Sequence, residues 1–490
     1  MHSEDRFSEG FSFDDVLLKP AKSDVLPSAI NLQTLFTRNV PLNIPVVSAA
    51  MDTVTEARLA IALAQEGGIG VVHKNLTIDE QALEVDRVKR SQAGIISDPF
   101  TLTPDRPVRE AEELMARYHV SGVPITDAKG KLVGILTNRD LRFQEDWEQP
   151  IGEVMTKDDL VTVPPGTTME EAKKLLHKHR IEKLPIVDSK GHLQGLLTIK
   201  DINKVTAFPH ANRDSLGRLR VAAAIGVTPG ELDRAQALIA THVDALVIDT
   251  AHGHSQMVID MVGKVKAKFP GMDVVAGNVV TAAGARELIA AGADAVKVGV
   301  GPGSICTTRI ISGAGMPQLT AVLDVVEEAS KKGVPVIADG GIRYSGDVAK
   351  ALAAGAHSVM IGSLFAGTAE SPGETVLYEG RTYKVYRGMG SIKAMQRGSK
   401  ARYMQQDVTE AAKLVPEGVE GRVSYRGNLG DTVHQLMGGL RSGMGYTGCK
   451  SLDEFRKKTE FVRVSAATVQ ESHPHSITIT EEPPNYQMPR

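Results

Sequence analysis

Eight short runs rich in valine, isoleucine and alanine recur along this chain, at residues 44–49, 69–73, 221–226, 245–250, 273–278, 295–300, 335–339 and 358–362. Most are followed by a stretch of helical periodicity, as at 56–66, 231–240 and 283–291. A strand buried on both faces reads as a continuous apolar run, which is the mark of a parallel sheet covered by helices. The segments "AAGAD" at 290–294 and "AAGA" at 353–356 place a glycine at a helix C-terminus just ahead of the next run. Eight strand–helix units predict an α/β fold, a closed (β/α)8 TIM barrel. A doubly wound open sheet is the alternative, and the regularity of eight parallel strands favours closure.

The spacing breaks once. More than a hundred residues separate the helix predicted at 78–91 from the third run, and they contain an internal repeat. "LTPDRPVREAEELMARYHVSGVPITDAKGKLVGILTNRDL" begins at Leu102, and "VPPGTTMEEAKKLLHKHRIEKLPIVDSKGHLQGLLTIKDI" begins at Val163. Pro104, Ala111, Pro124 and Asp140 recur as Pro165, Ala172, Pro185 and Asp201. Each copy reads strand, helix, strand, glycine turn, strand, helix start, and two copies are expected to close on one shared core. The pattern resembles the CBS motif, whose pairs form a Bateman domain. That resemblance implies binding of adenine or guanine nucleotides, with Thr137, Asp140, Thr198 and Asp201 facing ribose and phosphate. The same four residues also suit N-caps of the closing helices, and the two readings are compatible. The chain is thus divided into barrel (1–92), first repeat (93–153), second repeat (154–212) and barrel again (213–490).

At 490 residues the chain is long enough for a barrel with an insertion. Its net charge of -3 gives no reason to expect nucleic-acid binding. No apolar run approaches the roughly 20 residues that cross a bilayer. The opening "MHSEDRFSEG" lacks the basic and apolar regions of a signal peptide, so the cytoplasm is the expected compartment. Two cysteines, Cys306 and Cys449, do not make a disulfide framework. Cys449 reads as structural.

Chemistry concentrates after the sixth run, in "GVGPGSICTTR" from Gly299 to Arg309. Glycines at 299, 301 and 303 let the backbone turn sharply beside a ligand. The loop is not a dinucleotide fingerprint, because Ser304 stands where the last glycine would be. Cys306 falls in this loop at the barrel mouth, which suits a nucleophile better than a packing residue. Asp339, Gly340 and Gly341 follow the seventh run, and Gly362 and Ser363 the eighth. Glycine-rich turns at those two strand ends are the usual phosphate site of such barrels, so a phosphorylated substrate is expected. From about 365 to 430 the barrel period vanishes, and this long segment at the active-site face is expected to be a mobile flap.

Taken together, "GVGPGSICTTR", "DGGIRYSGD", "YRGMGS", "PEGVEGRV", "TGC" and "QESHPH" resemble the inosine-5′-monophosphate dehydrogenase family over essentially the whole chain. The resemblance implies an NAD-dependent oxidation of inosine monophosphate (IMP) to xanthosine monophosphate, the step committed to guanine nucleotides. Cys306 would attack C2 of the purine, hydride would pass to NAD⁺, and the covalent thioimidate would then be hydrolysed. Ser304, Asp339, Gly340, Gly341, Gly362, Ser363, Tyr386, Arg387, Gly388, Met389, Gly390 and Glu417 match the family's nucleotide positions. Asp249, Asn278, Gly299, Val300 and Gly301 match its cofactor positions.

The resemblance also implies that flap closure brings Arg402 and Tyr403 into the vacated cofactor site, with Arg402 as the hydrolytic base. Guanidinium is protonated in nearly all settings, so that role is implied by the family alone. Thr308 with Glu417 offers a second proton path. A potassium ion would take carbonyls of Gly301, Gly303 and Cys306, and Glu471, Ser472 and His473 of a neighbouring subunit. Such oxygen ligands suit a monovalent cation, and "HPH" and "AHGHS" lack a third ligand for a transition metal. A homotetramer is implied, with pairing to an octamer through the CBS modules as an alternative. Two rival readings are guanosine-5′-monophosphate reductase, which has no hydrolytic step, and a catalytically silent nucleotide sensor.

Overall fold

The computed structural model describes residues 7–91, 99–118 and 120–486. It divides into two compact units, one running to Lys89 and resuming at His210–Asn212 and Leu219–Arg490, the other comprising Arg90–Pro209 and Arg213–Arg218. The first division falls at 89/90 rather than 92/93, because the buried Lys89 ammonium is held by Asp244 at 2.5 Å in the barrel unit. Residues 213–218 go with the second unit, where Asp214 gathers the amides of Leu216 and Arg218 into a closed turn.

In the first unit, β1 (Val46–Ser48), β2 (Ile69–Val72), β3 (Val221–Ile225), β4 (Ala245–Asp249), β5 (Asp273–Val279), β6 (Ala295–Val298), β7 (Val336–Asp339) and β8 (Ser358–Ile361) form one closed barrel. All neighbours are parallel, and β8 returns to β1 through Val359–Val46 and Ile361–Ser48. Every strand residue except Asp339 is buried, which is why the runs carry almost no polar interruption. Alternate residues point inward. Ile69, Val71, Ala222, Ala224, Ala245 and Val247 pack there with Ile337 and Met360. After β8, helix Leu429–Tyr446 packs on both Ser345–Ala353 and Ala57–Gln65 and completes the helical ring.

The lower end of the barrel is plugged. Strands Thr34–Leu35 and Pro41–Leu42 form a hairpin whose Phe36, Val40 and Leu42 join the interior cluster. The Thr37 hydroxyl and the Asn39 amide donate to the carboxylate of Asp273, the first residue of β5. Phe36 is fully buried. Phe36→Ala is expected to destabilise the barrel by about 3–5 kcal/mol, read as a lower urea midpoint. The upper end, where the strands finish, stays open.

The segment after β8 is not aperiodic. Thr375–Tyr378, Arg381–Arg387 and Glu420–Ser424 make a three-stranded antiparallel sheet. Its hairpin turns on Glu379 and Gly380, both at positive φ, the geometry that matches strand twist in a two-residue turn. The flap proper is the excursion between the second and third of these strands.

In the second unit, strands Gly122–Thr126 and Leu132–Thr137 pair under helix Val108–Tyr118, and Lys183–Val187 and Leu193–Thr198 pair under Met169–His179. The first strand predicted for each copy shrinks to one bridge, Leu102–Ile125 or Val163–Ile186. Prolines at 104, 164 and 165 lack the N–H that would extend the ladder. Sequence predicts a shared core, yet each copy buries its own apolar cluster beneath its own helix. The copies meet at their turns, where Leu132 donates to Gly191 at 3.0 Å and Leu193 to Gly130 at 3.1 Å. Thr137 caps helix Asn138–Leu141, and Asp140 accepts both the amide and the hydroxyl of Thr137 at 2.7 Å. Thr198 ends the corresponding strand, and the side chain of Asp201 lies outside the described residues. No helix among the described residues is long and apolar enough to cross a membrane.

Candidate active site

A cavity of about 380 Å³ opens at the upper end of the barrel. Asp249 and Asn278 reach it from the ends of β4 and β5, and Gly299, Gly301, Gly303, Ser304 and Cys306 from the loop after β6. Asp339, Gly340 and Gly341 follow β7, while Gly362 and Ser363 follow β8. Strand Arg381–Arg387 supplies Tyr386, and the flap beyond it supplies Gly388, Met389, Gly390, Arg402, Tyr403 and Glu417. Residues from Ser12 to Gly418 thus share one wall system, those of the barrel because parallel strands all finish at one end. Two glycines are sterically required. A Cβ on Gly299 would stand 2.2 Å from the Asp339 carbonyl, and one on Gly390 would meet the Tyr403 ring at 2.8 Å.

Cys306 is partly exposed, and its thiol donates to the Thr308 hydroxyl at 3.1 Å. The structure laces this loop to the flap's return. Thr307 donates to the Glu417 carbonyl at 2.9 Å and Val419 to that of Ile305 at 3.1 Å, with a bridge between Cys306 and Gly418. The thiol lines the same cavity as the glycine turns after β7 and β8.

Charge runs through the floor in a line. Arg402 forms an ion pair with Asp249, and its own carbonyl accepts the Ala251 amide at 3.0 Å. Asp249 also pairs with Lys297 at 3.0 Å, and Lys297 with Asp339 at 2.6 Å and with the Asn278 amide oxygen. Asn278 in turn donates to Asp339 at 3.0 Å and to the Gly299 carbonyl at 2.7 Å. Burial pushes the phenols of Tyr386 and Tyr403 well above their ordinary range, so both stay neutral donors at working pH.

Some predicted residues do not face the cavity. Val300 is absent from its wall, and its carbonyl accepts from Arg309 at 3.4 Å. Arg387 is drawn away by Asp52 at 3.3 Å and Glu420 at 3.7 Å, so the structure does not bring it to the nucleotide side. Ser472 and His473 line a different cavity, with Asp14, Arg343 and Tyr344, while Glu471 lies in helix Ala466–Ser472 beside them. His254 pairs with Glu287 at 3.3 Å, and no group of three His, Cys, Asp or Glu residues suited to a metal occurs among the described residues. Cys449 is buried.

Sequence reasoning missed Lys297 and Gln318. The first was visible as the lone charge in an apolar run. Gln318 donates to the Val298 and Asp339 carbonyls at 3.0 and 3.1 Å, a tertiary role that no local pattern marks.

Comparison with known proteins places this geometry. A family model described as the IMP dehydrogenase / GMP reductase domain matches residues 10–475. The chain belongs to the IMP dehydrogenase / GMP reductase family. It is 59% identical over 484 residues to an inosine-5′-monophosphate dehydrogenase of Halalkalibacterium halodurans, covering 99% of each chain. Identity is 57% to the enzyme of that name from Bacillus subtilis and 58% to that from Aquifex aeolicus, again over 99% of both chains. A crystal structure of a GMP reductase variant from Trypanosoma brucei, in complex with guanosine 5′-monophosphate, superimposes with a TM-score of 0.87 at 40% identity. That match covers 98% of this chain and 100% of the other.

Proposed function

We propose that this protein oxidises IMP to xanthosine 5′-monophosphate with NAD⁺, through a covalent bond between Cys306 and purine C2. The observation that carries this reading is the Cys306 thiol, which lines one cavity together with Asp339 and the glycine turns after β7 and β8. In that frame Asp339 accepts from the ribose hydroxyls, and Gly340, Gly341, Gly362 and Ser363 present amides to the phosphate. Ser304, Tyr386, Gly388, Met389, Gly390 and Glu417 line the rest of the nucleotide's path.

The residues fit a dinucleotide: Asp249 and Asn278 are buried polar groups on the cavity wall, and both accept or donate where a ribose would lie. NAD⁺, when bound, accepts the hydride released from C2. As sulfur adds to C2, the electron pair of the C2–N3 double bond moves onto N3, and the thiol's proton leaves by way of Thr308, its hydrogen-bond partner, and Glu417 to solvent. Loss of hydride leaves a thioimidate on Cys306, and addition of water followed by C–S cleavage returns the thiol. Arg402, with the Tyr403 phenol beside it, takes over Asp249 for that hydrolytic stage. On the same reading a monovalent cation would be held by the carbonyls of Gly301, Gly303 and Cys306 together with Glu471, Ser472 and His473 supplied by a neighbouring subunit of a tetramer.

The second unit is read as a CBS pair for adenine or guanine nucleotides. Its two copies repeat one hairpin-and-helix design and meet turn to turn. A nucleotide at 100 times its Kd should stabilise the protein by about 2.7 kcal/mol, read as a thermal shift with ATP or GTP. No shift would count against the sensor assignment.

The deciding assay is NADH formation by absorbance with IMP, NAD⁺ and potassium. Turnover establishes the reading. Consumption of NADPH with guanosine monophosphate instead would establish the reductase, the activity named for the Trypanosoma brucei protein.

A further inference from the structure

β6 interrupts its apolar pattern once, at Lys297. Ala295 belongs to the barrel's interior cluster, so Lys297, two positions on, points the same way. Its side chain is 1% exposed. The ammonium touches Asp339 at 2.6 Å, Asp249 at 3.0 Å and the oxygen of Asn278. One cation thus bridges a carboxylate on the nucleotide side of the cavity and a carboxylate that the flap holds through Arg402. Buried ion pairs of this kind are weak contributors to stability, since well-packed apolar residues often replace them without loss. Its place between two functional carboxylates gives the lysine another use.

We propose that Lys297 is a positioning residue that sets the competition between the flap and the dinucleotide for Asp249. The inference rests on the function proposed above. Asp249 presents one oxygen to Lys297 and the other to Arg402. When the flap is away, Lys297 is the cation that remains on Asp249, so the open state does not leave a buried carboxylate unpaired. Without the lysine, opening would strand that carboxylate, and Arg402 would hold it harder. A dinucleotide would then have to displace a more favourable closure, and its apparent affinity would fall by the population of the competent state.

The test is a double-substitution cycle on the full chain, read by calorimetry with ADP-ribose in the presence of IMP and by trypsin cleavage of the flap. Lys297→Met should weaken ADP-ribose binding about tenfold, the size of coupling expected within one charge network. It should also slow trypsin cleavage at residues 397–400. Adding Arg402→Gln should restore most of the lost affinity, whereas Arg402→Gln alone should tighten binding much less. Lys297→Arg should behave like the wild type. If Lys297→Met does not fold, Lys297→Gln, which keeps a donor without the charge, enters the same cycle. Equal effects of Arg402→Gln in both backgrounds overturn the inference while wild-type NADH formation from IMP leaves the function standing. A wild type that forms no NADH from IMP overturns the function and the inference with it.

Discussion

In Cys306→Ala protein, NADH formation from IMP and NAD⁺ is expected to fall by at least about 10³-fold, because Cys306 is the one thiol among the described residues of the cavity wall. IMP binding itself should survive. Asp339 and the turns after β7 and β8 line the same cavity, and none of them is hydrogen-bonded to the thiol. The fold should survive too, since Cys306 is partly exposed and its side chain makes one hydrogen bond, to Thr308. Calorimetry with IMP and absorbance at saturating NAD⁺ separate the two effects. Retained turnover would remove Cys306 from the chemistry, and lost IMP binding would show that the substitution acts through the loop's shape.

Arg402→Gln should split the reaction in time. A first burst of NADH, one per site, is expected to persist, because the flap residue takes no part in sulfur addition or hydride loss. Steady turnover should drop by about 10²–10⁴-fold, the usual contribution of a positioned proton-transfer group. The geometry supports this division. Arg402 occupies Asp249, so it and a dinucleotide ribose cannot both hold that carboxylate. Its Nε is buried without a hydrogen-bond partner among the described residues. A buried donor left unmade costs about 1–3 kcal/mol, and a hydrolytic water would supply what it lacks. Rapid-quench or stopped-flow absorbance resolves the two phases. A burst lost together with turnover would assign Arg402 to the oxidative half instead.

The barrel is legible in the sequence because its strands are buried on both faces, and short continuous apolar runs such as 245–249 arise chiefly where helices cover a parallel sheet. The loop after β6 is legible as a candidate site because three glycines and a lone cysteine follow a strand end there. The three-stranded sheet after β8 is harder. Its strands are largely exposed and are rich in Arg, Lys, Tyr and Thr, so they lack the apolar signature that marks the barrel. The turn at Glu379 and Gly380 is the one local clue to it. Pairings across the molecule stay hidden. Arg402 meets Asp249 across 153 positions, and Arg387 meets Asp52 across 335, so motif position alone assigns Arg387 to a nucleotide from which its real partner removes it.

The seam at which the barrel closes has a consequence for biosynthesis. β1 cannot pair with β8 until residues 358–361 have emerged, and Val16–Leu18 waits longer still for Phe461–Arg463. At about 5–20 residues per second, a ribosome leaves that early strand without its neighbour for tens of seconds. The repeat unit, by contrast, is complete by residue 218 and draws its core from contacts close in sequence, so it is ready to fold first. A nascent chain of this protein therefore carries a finished small unit between two halves of an unfinished large one. Its exposed β1 and β2 edges during that interval are the places where chaperone capture or aggregation would act.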